Sequence, residues 1–329
     1  MGDENTLKRF NISIANMKRS LKTRMGIVGL GGIAQRAYLP VLANLETVDL
    51  AVIMSRRPEA VEQLRARYHV PAGVTELSDF LRQDLQAAIV LSPSPTHFEI
   101  VSTLLKAGVD VLVEKPATLS SRETALLGEL AEQGGRVLMI AFNRRFAPLY
   151  QQAKDLFAGR RVSLCVAEKH RERAANPSLF DHYSEEAIHM IDLLRWYGGE
   201  ARAISTRSLV RNGKLMDAAS LVAFEGDGIG VLTASLEGGG WLERVTLHGE
   251  GLSVQVDAFR ELRVLHGKED QVLGREMAAD WLTSQYIRGF EQLITHFVDC
   301  VQNRLTPSTS ALEAFRTQLL LEQLVAAAT

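Results

Sequence analysis

The chain has 329 residues, of which 46% are hydrophobic and 23% charged, and its formal net charge is −2. This composition is typical of a globular protein, and the length predicts two domains. The balanced charge argues against nucleic acid as a partner, and no apolar run is long enough to span a membrane. The two cysteines, Cys165 and Cys300, are too few for a disulfide framework and predict reduced thiols in a cytoplasmic protein.

Residues 1–22 are polar, carry five Lys or Arg side chains and lack the apolar centre of a secretory signal. We expect them to form a disordered leader, with Met17 or Met25 as alternative starts. The folded part is predicted to comprise two domains, over residues 23–145 and residues 146–329.

In the first half, apolar runs alternate with helical patterns, which is typical of a doubly wound parallel sheet. Strands are predicted at residues 24–29, 50–54, near Val74, and at 87–91, 109–113 and 137–142. The intervening helices are predicted at residues 34–44, 58–68, 78–81, 96–107 and 120–134. Because these strands are almost continuously apolar, both faces of the sheet should be covered.

The second half has longer strands in which apolar and polar residues alternate, separated by glycine-rich turns. They are predicted at residues 162–168, 203–210, 218–224, 228–236, 244–248, 253–257 and 262–265. This pattern predicts a large, open, mostly antiparallel sheet. A helix is expected at residues 184–196, and two more at 284–303 and 310–328.

The first predicted strand ends in a glycine-rich turn that fits the pattern G-x-G-x-x-G/A. Its residues are Gly29-Leu30-Gly31-Gly32-Ile33-Ala34. In this pattern the first glycine permits a tight turn, the second lets the backbone approach a pyrophosphate, and the last small residue allows close packing of helix and strand. The N–H groups at the start of the helix then face the anion. The whole turn is predicted to bind a dinucleotide.

The end of the second strand distinguishes between the two nicotinamide cofactors. A carboxylate at this position favours NAD, because it binds the ribose 2′-hydroxyl. Here the chain has Ser55, Arg56 and Arg57, and two guanidinium groups suit a 2′-phosphate instead. We therefore predict a preference for NADP(H). The alternative is that both arginines belong to a solvated helix start.

A proline-stiffened loop follows the predicted strand at residues 87–91. It reads Ser92-Pro93-Ser94-Pro95-Thr96-His97. Its position at the carboxyl edge of the sheet predicts contact with the cofactor, with Ser92, Pro93 and His97 as candidates. Alternatively, the loop only caps the next helix, and His97 is a surface histidine.

The strand at residues 109–113 ends in Glu114-Lys115-Pro116. A lysine at the carboxyl end of such a strand points into the crevice where open α/β sheets bind ligands. Its ammonium can bind a ribose hydroxyl or polarise the substrate hydroxyl that loses hydride. Glu114 and Lys115 are predicted to contact the cofactor, and Lys115 is also a catalytic candidate. A surface lysine is the alternative.

The helix at residues 184–196 carries a second catalytic candidate, His189. Helical spacing places Glu185 four residues before it and Asp192 three residues after it, so that either carboxylate could orient the imidazole for proton transfer. The alternative is a histidine with only a structural role. His182, Glu185, Glu186 and His189 lack the order of a metalloprotease motif, and no metal is predicted.

These motifs occur in one order, followed by Phe142-Asn143-Arg144-Arg145-Phe146 and then by I-H-M-I-D around His189. From residue 24 to the C-terminus the chain resembles the Gfo/Idh/MocA oxidoreductases, and more closely their MviM-like branch. The resemblance implies hydride transfer between a nicotinamide and a hydroxyl-bearing carbon of a sugar or polyol. It assigns Lys115 to the nicotinamide ribose and the substrate hydroxyl, His189 to acid–base chemistry, and Asn143 to the nicotinamide. It also implies that residues 23–145 form an NAD(P)-binding Rossmann domain and residues 146–329 a domain for substrate binding and oligomerisation, with a dimer or tetramer formed through the second sheet.

One departure from the family pattern concerns the segment before His189. Relatives that oxidise polyols usually have Asp four residues and Gly two residues before the histidine, whereas this chain has Glu185 and Ala187. A non-catalytic NADP-binding sensor on the same fold therefore remains an alternative, as does a reductase of a cyclic imine or tetrapyrrole. Cations over residues 169–173 hint at an anionic sugar, with a solvated loop as the alternative.

Overall fold

The computed structural model describes residues 22–172, 177–274 and 281–329. The leader expected at residues 1–22 therefore lies outside the described residues except for Lys22. The first sheet has six strands: β1 (Thr23–Val28), β2 (Val48–Met54), β3 (Ala72–Val74), β4 (Ala87–Val90), β5 (Asp110–Val113) and β6 (Leu138–Ile140). Their order is β3-β2-β1-β4-β5-β6, and every neighbouring pair is parallel. The predicted doubly wound sheet is confirmed.

Helices connect these strands and cover both faces of the sheet. They are α1 (residues 32–42, with a π-turn at Ala34–Tyr38), α2 (Pro58–Tyr68), α3 (Leu77–Leu81), α4 (His97–Lys106) and α5 (Ser121–Gln133). Successive strand side chains point to opposite faces, so Ile27 and Ile89 pack in one buried cluster with α1 and α2. Val28 and Val90 pack in the other cluster, with α4 and α5.

The second sheet has eight strands: β7 (Leu164–His170), β8 (Ala201–Arg211), β9 (Lys214–Phe224), β10 (Ile229–Ser235), β11 (Leu242–Gly249), β12 (Leu252–Asp257), β13 (Glu261–His266) and β14 (Glu269–Leu273). Their order is β14-β13-β12-β11-β7-β10-β9-β8. Only the β7–β10 pair is parallel, so the predicted mostly antiparallel sheet is confirmed. The edge strand β14 was not predicted, because its side chains are mostly exposed and do not alternate.

Two helices pack against one face of the second sheet. They are α6 (Pro148–Leu156) and α7 (residues 179–198, with a π-turn at Tyr183–Ala187). Tyr150 of α6 and Ile191 of α7 share a buried cluster with Cys165 and Val245 of the sheet. Apolar side chains alternate along β7 and β11 because only one face of each strand is fully buried. Helix α7 is thereby fixed between the two sheets.

The C-terminal helices return to the first sheet. The single helix predicted over residues 284–303 is in fact two, α8 (Ser284–Ile287) and α9 (Phe290–Asn303). The break is at Gly289, where φ is +78° and a Cβ would lie 2.4 Å from the carbonyl oxygen of Asn143. Helix α9 packs with β1, and α10 (Ala311–Ala326) packs with α5. The predicted domain boundary between residues 145 and 146 stays a prediction.

Candidate functional site

The turn between β1 and α1 has the geometry that its glycines suggest. Gly29 has a φ of +98°, and a Cβ there would lie 2.5 Å from the carbonyl carbon of Leu91. A side chain at Gly29 would therefore strain the backbone and clash with the neighbouring loop. At Gly31, in contrast, no described atom lies within 4 Å of the Cβ position. This open space would admit a phosphate group close to the main chain.

The other residues of this turn hold α1 in place. Leu30 and Ala34 are buried in the cluster between α1 and the sheet, and Ile33 faces a neighbouring cavity. A Cβ at Gly32 would lie 3.0 Å from the guanidinium of Arg36, a residue that the motif did not single out. The π-turn of α1 contains Tyr38, whose hydroxyl donates a hydrogen bond to Glu114 Oε1 over 2.7 Å. Burial and this carboxylate raise the pKa of Tyr38 well above its usual value.

A cavity of about 540 Å³ opens where the carboxyl ends of β4 and β5 meet α7 and the second sheet. It brings together nine of the predicted site residues: Ile33, Ser92, Pro93, His97, Glu114, Lys115, Asn143, Glu185 and His189. Sequence reasoning had not assigned a role to several others in its wall: Arg36, Arg144, Glu186, Trp241 and Arg288. A second cavity of about 760 Å³, between α5 and α10, contains none of the predicted site residues.

Lys115 lies at the end of β5 and reaches across the cavity to α7. Its Nζ donates a hydrogen bond to the carbonyl oxygen of Glu185 over 2.6 Å and lies 3.9 Å from Glu185 Oε2. Its main-chain N–H donates to Glu114 Oε2 over 3.1 Å. Glu114 therefore bonds both to Tyr38 of α1 and to the backbone of Lys115, which fixes the end of β5 relative to the glycine-rich turn.

His97 is buried rather than exposed, so the surface alternative is wrong. Its Nδ1 lies 2.9 Å from the carbonyl oxygen of Pro116, and its Nε2 lies 2.8 Å from that of Ser92. The imidazole thus joins the loop after β4 to the turn after β5. Thr96 caps the loop by donating to the carbonyl oxygen of Pro93 over 2.7 Å. The expected contact of Ser92, Pro93 and His97 with a cofactor stays a prediction.

His189 lies in the wall of the cavity and is 6% exposed. Its ring packs edge-on against Phe142, and Nδ1 has no hydrogen-bond partner among the described residues. Burial lowers its pKa well below the usual 6.5, and three nearby cations lower it further: Arg144, Lys115 and Lys169. His189 is therefore a neutral imidazole with an unused nitrogen at neutral pH.

The prediction that a carboxylate orients His189 through helical spacing is wrong. Glu185 Oε1 accepts a hydrogen bond from Ser94 Oγ over 2.9 Å, and Asp192 pairs with Arg145 at 2.6 Å. For Glu185 the reason is the π-turn of α7, which widens the helix and shifts the residues before His189 out of α-helical register. Glu185 consequently faces Lys115 and the loop after β4. Asp192 lies in the regular helix after the π-turn, and its carboxylate is used by the bidentate pair with Arg145.

With this geometry established, comparison with known proteins identifies the family. Residues 23–142 match the family model described as "Oxidoreductase family, NAD-binding Rossmann fold". "Putative oxidoreductase YceM" of Salmonella typhimurium is 35% identical over 308 residues, which cover 92% of this chain and 96% of the relative. The chain belongs to the Gfo/Idh/MocA oxidoreductase family. Because it belongs to this family, the protein is an NAD(P)-dependent oxidoreductase.

Two further proteins are similar to this chain over nearly its whole length, one in structure and one in sequence. The crystal structure of the MviM dehydrogenase from Clostridium difficile superposes with a TM-score of 0.84 and 25% identity, covering 91% of this chain and 97% of that one. The scyllo-inositol 2-dehydrogenase (NAD(+)) of Bacillus subtilis is 25% identical over 316 residues, 89% of this chain and 90% of the relative. The chain falls in the MviM-like branch of the family, as the sequence predicted.

The sequence did not predict a buried ionic cluster that lies beside the 540 Å³ cavity. Glu243 on β11 is fully buried, and its Oε1 accepts hydrogen bonds from Arg144 Nε over 3.0 Å and from the Tyr150 hydroxyl over 2.9 Å. Its Oε2 accepts from Arg144 Nη2 over 2.9 Å and from Lys169 Nζ. Burial alone would raise the pKa of Glu243, but the two cations outweigh it and hold the pKa well below its usual range. These partners come from distant parts of the chain, which no local motif reveals.

Asn143 connects this cluster to the C-terminal helices. Its side chain is buried, Nδ2 donates to the carbonyl oxygen of Arg288 over 2.8 Å, and Oδ1 accepts from Arg144 Nη1 over 3.0 Å. Arg145 next to it forms a bidentate pair with Asp192 and also bonds Glu313 over 3.1 Å. These bonds position the loop after β6 on α7 and α10. The expected contact of Asn143 with nicotinamide stays a prediction.

Ser55, Arg56 and Arg57 do not line the cavity and lie at the carboxyl end of β2. Ser55 Oγ accepts a hydrogen bond from the main-chain N–H of Arg57 over 3.3 Å, which shapes the start of α2. Both arginines are exposed, and neither guanidinium has an ion-pair partner in the described part of the chain.

The described residues contain no group of three His, Cys, Asp or Glu side chains placed to hold a metal ion. Both Cys165 and Cys300 are buried thiols, and burial raises the pKa of the Cys300 thiol to about 11. Within the described residues, no helix is long and apolar enough to cross a lipid bilayer.

Proposed function

We propose that this protein transfers hydride between NADP(H) and a hydroxyl-bearing carbon of a sugar, polyol or sugar derivative. The observation that carries the proposal is that Lys115 and His189, from the two halves of the chain, line one cavity at the carboxyl edge of the first sheet. Relatives with inositol dehydrogenase names support the substrate class.

The residues at the glycine-rich turn fit a dinucleotide. Gly29 is required by the turn, and the space at Gly31 would accept the diphosphate against the main-chain N–H groups from Gly31 to Ala34. Leu30 and Ala34 pack beneath the turn, and Ile33 borders the cavity. When bound, the nicotinamide accepts or donates the hydride.

Lys115 is the residue proposed to hold the reacting oxygen. An ammonium has three N–H donors, and only one of them is used by the Glu185 carbonyl. The others are available to a hydroxyl or carbonyl oxygen of the substrate, whose developing negative charge the ammonium would stabilise. Glu185 would affect this step only by positioning Lys115, because its carbonyl oxygen and its carboxylate both lie near the lysine ammonium.

His189 is the proposed proton acceptor during oxidation and proton donor during reduction. Burial and the cations around it keep the imidazole neutral, so that a nitrogen lone pair is available for the hydroxyl proton. In the reverse direction the same nitrogen returns the proton to the carbonyl oxygen. The unusual residues Glu185 and Ala187 are compatible with this role, because the carboxylate does not contact His189 in any case.

The preference for NADP(H) rests on Ser55, Arg56 and Arg57. Two exposed guanidiniums without carboxylate partners in the described chain suit a 2′-phosphate, for which arginine offers paired planar donors. The first sheet places them at the end of β2, the position where nucleotide folds of this class meet the adenosine ribose.

We propose in addition that the second sheet mediates a homodimer or homotetramer. The face opposite α6 and α7 carries apolar side chains aligned across neighbouring strands, with Val166 beside Val231 and Val231 beside Leu221. Ile229, two residues before Val231 on β10 and on the same face, is 47% exposed. Sedimentation velocity at micromolar concentration tests this association, and a monomer would contradict it.

The test of function combines cofactor binding with turnover. NADPH fluorescence measures binding, and nicotinamide absorbance measures turnover with sugars, polyols, uronates, keto-sugars and sugar phosphates. Turnover of one substrate class in either direction supports the proposal. Tight NADPH binding with no turnover across the panel contradicts it and favours the alternative, a non-catalytic sensor.

A further inference from the structure

Three cations gather on the second-sheet side of the cavity, and we refer to Arg144, Lys169 and Arg288 as the cation cluster. All three line the cavity. The guanidiniums of Arg144 and Arg288 lie 5.3 and 4.8 Å from the ring centre of Phe259, and the Lys169 ammonium lies 5.5 Å from that of Trp241. Phe259 therefore holds Arg144 and Arg288 close together, and Glu243, which bonds both Arg144 and Lys169, brings Lys169 next to them.

Only one carboxylate bonds the cation cluster within the described residues, and it is saturated. Glu243 accepts four hydrogen bonds, two at each oxygen, from Arg144, Tyr150 and Lys169. A carboxylate has about four acceptor sites, so none remains for Arg288. Among the described residues, Arg288 has no ion-pair partner. The cluster thus carries about two positive charges more than Glu243 balances, while Glu114 and Glu186 attract Arg144 and Lys169 through space.

Such an excess is costly in a half-buried site. Burial and the neighbouring charge of Arg144 lower the pKa of Arg288, although a guanidinium stays protonated at any physiological pH. Removing cations from water without an anionic partner opposes folding. An anion arriving from solution would remove this cost on binding.

We propose that the substrate carries an anionic group, a carboxylate or a phosphate ester, which binds at the cation cluster. This inference rests on the proposed function. It narrows the substrate class from sugars and polyols in general to sugar acids or sugar phosphates.

We assign the cation cluster to the substrate rather than to the cofactor phosphates. The proposed diphosphate site is the turn from Gly29 to Ala34, where the Arg36 guanidinium lies 3.0 Å from the Cβ position of Gly32. The cluster instead surrounds Glu243, whose strand β11 belongs to the second sheet. Arg144 and Arg288 also line a cavity of about 420 Å³ with Arg36, so the NADPH-saturated protein is the deciding sample in the test below. Arg144 and Lys169 also act on His189, because both lower its pKa. An anion bound there would raise the pKa of His189 and make it a stronger base when substrate is present.

The test follows the pKa of His189 by NMR of the imidazole C2 proton, with His189→Gln to assign the signal. Inorganic sulfate and phosphate are the first probes, added to free and to NADPH-saturated protein. Saturating sulfate should raise the pKa of His189 by about half a unit or more in the wild type. Arg288→Gln should reduce the affinity for sulfate at least tenfold. Arg263→Gln is the matched control, because it removes an exposed arginine of β13 that pairs with Asp270.

Three results would overturn the inference: no shift in wild type, the same shift in Arg288→Gln, or a shift that disappears when NADPH is bound. The last would assign the cluster to cofactor phosphates. D-glucuronate and D-glucose 6-phosphate, compared with D-glucose, then distinguish a carboxylate from a phosphate ester. At least one anionic sugar should bind tenfold more tightly than glucose, and equal affinities would contradict the inference. A failure of NADPH to bind would be visible separately by fluorescence and would count against the proposed function.

Discussion

The ammonium of Lys115 donates a hydrogen bond to the main-chain carbonyl of Glu185 over 2.6 Å, although the two residues are 70 positions apart. This bond joins the end of β5 in the first sheet to the π-turn of α7 over the second sheet. Ser94 reinforces the junction by donating to the Glu185 carboxylate over 2.9 Å. The two halves of the candidate active site are therefore held together by residues that line it.

Replacing Lys115 by Met should remove catalysis and retain cofactor binding. The change deletes the donor to the reacting oxygen, so we expect kcat to fall by about 100-fold or more. The Kd for NADPH, measured by fluorescence, should change by less than about threefold. Lys106→Met, at the exposed end of α4, is the control and should behave like the wild type. Unchanged turnover in Lys115→Met would refute its catalytic role.

Two glycine substitutions separate folding from cofactor binding. Gly29→Ala introduces a Cβ 2.5 Å from the backbone of Leu91 at a φ of +98°, so unfolding free energy should fall by about 2 kcal/mol or more. Gly31→Ala has open space and should leave the unfolding free energy within about 0.5 kcal/mol. It should nevertheless weaken NADPH binding strongly, because the methyl group occupies the space proposed for phosphate. Tight NADPH binding by Gly31→Ala would contradict the assignment of this turn.

The arginines after β2 should determine the choice of cofactor. The double variant Arg56→Ala/Arg57→Ala loses the donors proposed for the 2′-phosphate, so its Kd for NADPH should rise at least about tenfold. The Kd for NADH should stay the same. Arg67→Ala, an exposed arginine in the last turn of α2, is the matched control. If both cofactors lose affinity equally, the arginines do not select NADP.

The pH dependence of stability should report on His189. Burial and nearby cations lower its pKa well below 6.5, so the unfolded chain binds more protons between the two values. The unfolding free energy should therefore fall as pH falls below 6.5 and be unaffected by this group above it. His189→Gln should flatten the dependence in urea titrations at about pH 5 and pH 7. His296, whose pKa burial also lowers, leaves a smaller slope of the same sign in both proteins. An identical slope in the variant would show that His189 is not held neutral.

Several residues that the sequence correctly placed in the cavity directly follow a single strand of the first sheet. Gly29 and Lys115 follow strands of a parallel sheet, and the carboxyl ends of such strands meet at one edge whatever the loops contain. The parallel arrangement of the first sheet was predicted because its apolar strands alternate with helices. For this reason the sequence alone could place the residues that follow these strands at one edge of the sheet.

The surroundings of His189 and Glu243 could not be obtained in this way. The spacing argument for His189 assumed an α-helix, and the π-turn of α7 moved Glu185 towards Lys115. Glu243 is paired with residues 74 and 99 positions away, so the charge cluster exists only once β7 and β11 are adjacent. Helix α9 packs on the first sheet, although it comes after the second sheet in the chain. Its amphipathic pattern shows that one face is buried but does not show which sheet covers that face.

The proposed chemistry requires the nicotinamide to face the space between Lys115 and His189, where the substrate oxygen would lie. A crystal structure of the protein with NADP+ would show whether it does. We expect the diphosphate at the Gly29–Ala34 turn and the nicotinamide ring inside the 540 Å³ cavity, with its reactive carbon facing the space between Lys115 and His189. A nicotinamide outside this cavity, or one separated from Lys115 by another element, would contradict it.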